Sequence, residues 1–206
     1  AWTGIRRAWI FINNVDRVPD MTPEEKTRRK GEARMIIALQ MHEMLRHFGG
    51  VPILREYATP ENDVAADYSR RTLQECVDFI LELCDDAAAE LPWTVSEADN
   101  GRMTAAGALA LKARVLQFIA RPLFNASEPY MEAPKPSVSN QSSVKVDPKY
   151  MTWLGDYQEN RWQDVIKACE DFFTKNQENG NPYNLVLPET EDVEGYRAAF
   201  SCCYAD

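Results

Sequence analysis

The chain has 206 residues, 45% of them hydrophobic, which is enough apolar material for a buried core and too much for a chain disordered throughout. Its 23 Lys and Arg stand against 32 Asp and Glu, and the formal charge of -9 repels polyphosphate, which argues against nucleic acid as a partner. No uninterrupted apolar run approaches the roughly 20 residues that a membrane-crossing helix needs, because Lys112, Arg114 and Arg121 break the most apolar segment.

From Ile5 onward apolar residues recur at Ala8, Trp9, Ile12 and Val15, with Arg6, Arg7, Asn13, Asp16 and Arg17 between them, and this spacing predicts a first amphipathic helix. The string "TPEE" then supplies Thr22 as an N-cap, Pro23 at the first helical position and Glu25 reaching back. The apolar stripe Ala33, Ile37, Met41, Met44, Leu45 and Phe48 follows it. In "RHFGGVPILR" the glycines come after this helix, and anion cradles sit before one, where free N–H groups and the positive dipole end lie. Gly49 or Gly50 is therefore read as a C-cap in left-handed conformation, with Pro52 preventing the helix from resuming.

Residues 55–69 read as a polar loop carrying Tyr57 and Tyr68. Thr72 and Glu75 open a third helix through a second capping box, with Leu73, Cys76, Val77, Ile80, Cys84, Ala87 and Leu91 on one stripe and Pro92 at its end. Thr104 caps a fourth helix, "AAGALALKARVLQFIA", apolar over most of its circumference and so expected between other helices. Residues 125–159 form a long loop insertion rich in Pro, Ser, Asn and Gln, and a connection of that length in a helical domain is usually functional. A fifth helix is expected from Asn160 as N-cap, with the stripe Trp162, Val165, Ile166, Cys169, Phe172 and Phe173. Beyond Gly180 only "YNLVL" suggests a short strand. The sum is a mainly all-α architecture of TPR-like paired amphipathic helices with long loops, too unevenly spaced for a strict 34-residue repeat.

Catalytic and metal signatures are not found. "HEMLRH" misses the HExxH zinc pattern, since Arg46 stands in the second ligand's place and His47, five residues from His42, points roughly 140° away on a helix. The SxxK match from Ser142 to Lys145 lies in a serine-rich loop without the companion motifs of lysine-activated serine enzymes. The five cysteines, Cys76, Cys84, Cys169, Cys202 and Cys203, lack CxxC spacing and read as buried thiols. We therefore expect no catalytic centre, metal or cofactor. Loop aromatics stand out instead: Tyr130, Tyr150 and Trp153 first, then Tyr57 and Tyr68, are the candidate ligand-binding residues. Such rings can stack on the apolar face of a sugar, although the same rings could equally anchor loops to the helix layer.

The stretches "GIRRAWIFINNVDRV", "EARMIIALQMHEMLRHFGGVPIL", "RRTLQECVDFILELCDDAAAELP" and "GRMTAAGALALKARVLQFIARPLFN" occur in an order that resembles the SusD/RagB family, nutrient-binding lipoproteins of the Bacteroidetes outer membrane. The resemblance covers nearly the whole chain. It implies a SusD-like helical scaffold that binds oligosaccharides, or peptides in the RagB branch, without cleaving them. It also implies a SusC-like TonB-dependent transporter as partner, and an outer-membrane, cell-surface location through an N-terminal lipid anchor that is not in this chain. On this reading residues 1–206 are part of a single SusD-like domain, and the family's lipobox region and C-terminal half are not present. Trp9, where members commonly carry Asn, and Arg121, where a Ser often precedes "PLFN", depart from the family pattern. A TPR-like scaffold for protein partners is the alternative of a different class.

Overall fold

The computed structural model describes residues 1–57, 59, 68–131, 147–185 and 192–201. Among these there are six α-helices and no β-strand: α1 (Trp2–Asn14), α2 (Pro23–Phe48), α3 (Leu73–Glu90), α4 (Ala105–Ala120), α5 (Asn160–Glu178) and α6 (Val193–Ser201). Single 3-10 turns follow α1, precede α4, and occupy Pro148–Met151. The chain forms two compact units, residues 1–173 and 174–206.

In the first unit the helices pair in chain order, α1 on α2, α2 on α3 and α3 on α4. Ile37, Ala38, Leu73, Cys76 and Ile80 are wholly removed from solvent at the centre of this stack. Each large apolar side chain so buried contributes about 1.5–3 kcal/mol. Helix starts fall where side chains can satisfy the orphan amides. Thr22 and Thr72 each accept from the amide three residues on, while Glu25 and Glu75 accept from the cap's own amide, and Thr104 Oγ1 accepts from Gly107 N–H at 3.1 Å. At one end of the α2–α3 pair Arg102 grips Glu32 through two bonds of 2.8 and 2.6 Å, and Arg34 binds Glu90 at 2.6 Å. Burial raises the Glu90 pKa against the opposing pull of Arg34.

The Gly49–Gly50 turn ends α2 as expected. Gly49 takes φ 69°, a conformation that side-chain-bearing residues rarely adopt, and its amide returns to Leu45 O at 2.9 Å. Gly50 donates to Met151 O at 2.6 Å, and a Cβ on Gly50 would run into the carbonyl of Arg71. Arg70 closes the turn from outside: its guanidinium donates to the carbonyls of Phe48 and Gly50, groups that the helix end leaves without partners.

Asn125, 2% exposed, fastens the start of the long loop to its end. Its amide donates to Gln158 O at 2.9 Å, its oxygen accepts from Gln158 N–H at 2.8 Å, and Arg161 donates to the same oxygen at 2.6 Å. The segment between them includes residues 132–146, which lie outside the described residues, as does the SxxK match.

Three expectations need correction. Asn160 is the first residue of α5 instead of its cap, because the preceding turn already supplies partners: Trp162 N–H bonds Glu159 O at 2.9 Å. Along α5 only part of the expected stripe is covered. Val165 is buried and Phe172 meets Trp93 at 5.6 Å, but Trp162, Ile166 and Phe173 are 38%, 48% and 67% exposed. Cysteines divide likewise: Cys76 and Cys84 are buried, with thiols pushed up by burial to about 11 and about 12, whereas Cys169 is exposed. Cys202 and Cys203 lie outside the described residues.

In the second unit Asn176, 4% exposed, holds the turn after α5 by donating to Tyr183 O at 2.7 Å and accepting from Tyr183 N–H at 3.2 Å. Asp192 accepts from Gly195 N–H at 2.7 Å at the start of α6. Tyr183–Leu185 are irregular, and the rest of "YNLVL" is outside the described residues.

Candidate ligand-binding site

The segment leaving α2 and the segment entering α3 are tied together at their base. Arg71 N–H bonds Val51 O at 3.2 Å, Val51 N–H donates to Cys76 Sγ at 3.3 Å, and Arg70 donates to Gly50 O at 2.7 Å. Further out, Trp9 Nε1 donates to Leu54 O at 2.9 Å, pinning the outgoing segment to α1. Arg55 makes two bonds of 2.7 Å to Glu82 on α3, which hold the Glu82 carboxyl below its usual range. The chain is thus stiffened just before Tyr57.

Above this base lies a mostly apolar cavity of about 640 Å³. Five aromatic rings line it: Trp2 and Trp9 from α1, Phe48 from the end of α2, and Tyr57 and Tyr68 from the two tied segments. Arg6, Glu56 and Arg70 supply polar groups in the wall. Trp2 and Trp9 stand seven residues apart, two helical turns, and so share one face of α1. Trp2 and Phe48 are 41% and 64% exposed, so ring faces are open to an incoming molecule. Flat apolar faces with charged groups between them suit a sugar, whose rings have an apolar face and a hydroxylated edge. A second hollow of about 690 Å³ between α3, α4 and α5 has Asp78, Asp164, Asp171, Lys112 and Lys167 in its wall and no aromatic ring.

Of the residues expected from sequence, Tyr57 and Tyr68 come together in the aromatic cavity. Tyr150 and Trp153 come together elsewhere, stacked with centroids 5.7 Å apart and planes within 11°. Trp153 is 9% exposed and its Nε1 donates to Ala126 O at 2.8 Å, so it ties the 3-10 turn to the chain after α4. Tyr150 is 36% exposed, and Lys149 Nζ sits 5.0 Å from its ring centroid. Tyr130 is 80% exposed. The Gly49–Gly50 turn links the two neighbourhoods, holding Met151 O on one side while Phe48 and Val51 face the cavity on the other. Sequence reasoning missed Trp2, Trp9 and Phe48, which it placed on helix faces or passed over. The available signal was two tryptophans at heptad spacing beside an exposed arginine.

These features define an all-helical protein of paired amphipathic helices whose loop bases build an aromatic cleft. A family profile described as starch-binding and associating with the outer membrane matches residues 1–116, and the chain belongs to this SusD-like family. Among solved structures, a SusD-like protein from Bacteroides fragilis has a TM-score of 0.63 at 25% identity, over 94% of this chain and 28% of that one. A laminarin-binding SusD-like protein has a TM-score of 0.52 at 22% identity, over 58% of this chain and 25% of its own. Surface glycan-binding protein A from Bacteroides uniformis has a TM-score of 0.50 at 18% identity, over 59% of this chain and 27% of its own. The chain therefore spans less than a third of the length of each. No curated protein matches the sequence.

Proposed function

We propose that this chain is the helical portion of a protein that captures oligosaccharides at the bacterial surface without cleaving them and passes them to a SusC-like TonB-dependent transporter. The observation that carries the reading is the convergence of five aromatic rings on one cavity in a member of a family described as starch-binding. The laminarin-binding and surface glycan-binding relatives support it. Tyr57 and Tyr68 are the principal ring contacts, with Trp2 and Trp9 beside them. Tyr130 and Tyr150 serve longer ligands, and Trp153 holds Tyr150 in place. The family's association with the outer membrane supports a surface location through a lipid anchor upstream.

Calorimetric titration of the full-length protein with neutral oligosaccharides and oligopeptides tests the proposal. Tyr57→Ala and Trp2→Ala are each expected to cost about 1–2 kcal/mol, a five- to thirtyfold loss of affinity for saccharide, at unchanged melting temperature. Binding of peptides alone would replace the proposal with a RagB-like peptide carrier. Binding of neither, with a soluble protein complex recovered in place of an outer-membrane barrel, would leave the scaffold role.

A further inference from the structure

The fragment "HEMLRH", discarded above as a metal motif, contributes to a different feature. His42 and Arg46 are four residues apart on α2, Arg114 and Phe118 are four apart on α4, and Arg121 is the extended residue that caps the end of α4. Together with Trp162 from the first turn of α5 they line a cavity of about 590 Å³. Three guanidinium groups thus gather in a chain whose net charge is -9.

Their local charge is poorly compensated. Arg46 pairs with Glu43 at 2.7 Å. Arg114 makes no ion pair among the described residues, and Arg121 has no carboxylate partner among them. Arg121 instead spends its Nε on Phe118 O at 3.1 Å and lays its guanidinium over the Phe118 ring, 4.4 Å from the centroid. That pose fixes the plane of the guanidinium and leaves its terminal nitrogens for an outside acceptor. Beneath them His42 is 4% exposed, edge-on to Phe118 at 6.1 Å, and its Nε2 has no hydrogen-bond partner among the described residues. Buried polar atoms in this state are uncommon and mark places where a partner belongs.

We propose that this cavity is a second binding site, for an oxyanion carried on a sugar ring, a uronate carboxylate or a sugar sulfate. The planar forks of Arg114 and Arg121 suit a two-oxygen acceptor, and the open indole face of Trp162 suits the ring that bears it. The volume is larger than a free inorganic anion needs and falls within the range of sites that take a sugar residue or two. The proposal rests on the glycan-capture reading above and extends it to acidic glycans.

The test is calorimetric titration of the full-length protein with a hexuronate oligomer, a sulfated oligosaccharide and a neutral oligosaccharide of equal length. Wild type is compared with Arg114→Gln, Arg121→Gln, Trp162→Ala and the distant Tyr57→Ala, with melting temperatures as a check on folding. The expected result is a loss of about tenfold or more for one or both acidic ligands in the two arginine variants and in Trp162→Ala, at unchanged affinity for the neutral ligand. Acidic-ligand binding should also weaken with added salt. Whichever acidic ligand responds identifies the oxyanion. Acidic-ligand affinity within about twofold of wild type in both arginine variants overturns the proposal. So does arginine-dependent binding of a phosphopeptide with no response from either acidic saccharide. If the neutral ligand still binds and still depends on Tyr57, only the second site has failed. If no saccharide binds at all, the glycan reading itself has fallen.

Discussion

Trp153 and Tyr57 show how one residue class divides into two jobs. Both are loop aromatics in sequence, but Trp153 buries its ring and donates to Ala126 O, while Tyr57 stands in the wall of a cavity. Trp153→Ala removes a buried aromatic and orphans that carbonyl, so we expect a loss of about 3 kcal/mol or more in urea unfolding, unlike Tyr57→Ala. His42 offers a pH handle. Burial is the largest influence and lowers its pKa; Arg46 and Arg114 push the same way and Glu43 opposes them. The folded state thus favours the neutral ring, while the unfolded chain takes up a proton near the ordinary value of about 6.5. The stability this difference confers is complete above that pH and is lost as pH falls through the depressed folded value. Unfolding free energies at pH 7 and pH 5 should therefore differ more for wild type than for His42→Gln.

At the level of elements, helix starts were legible almost to the residue because the capping residues lie within four positions of one another. Thr22 with Glu25, Thr72 with Glu75 and Thr104 all act as their spacing announces. The α2 stop was legible too, although the left-handed turn alone does not explain both glycines. Gly50 is required because a Cβ there would meet the Arg71 carbonyl, and one on Gly49 would meet the carbonyl of Met151. Gly50→Ala should cost about 1–3 kcal/mol, as overpacked positions do, and should loosen the cavity base along with the helix end. Thermal melting and saccharide titration of one sample would report both. The α5 stripe shows what periodicity leaves open: it says that a helix has an apolar side, not whether anything lies against it. Trp162, Ile166 and Phe173 remain exposed here.

At the scale of the molecule, the all-helical architecture and the order of its elements could be read from sequence, since each depends on local patterns. The aromatic cavity could not, because it is assembled from α1, the end of α2 and two segments on either side of the residue 58–67 stretch. Nothing near Trp2 in sequence indicates that Tyr68 will be its neighbour. The basic cavity was hidden for the same reason, its arginines being divided between α2, α4 and the residue after α4. The clamp made by Asn125 is equally non-local, joining residues 33 positions apart. That clamp carries an evolutionary corollary. With both roots of the excursion knotted to each other, residues can be added to or removed from its middle for roughly 0.6 kcal/mol per doubling of length, and the helices would register no change. A lineage can thus rewrite that tethered stretch while the frame beneath is inherited intact.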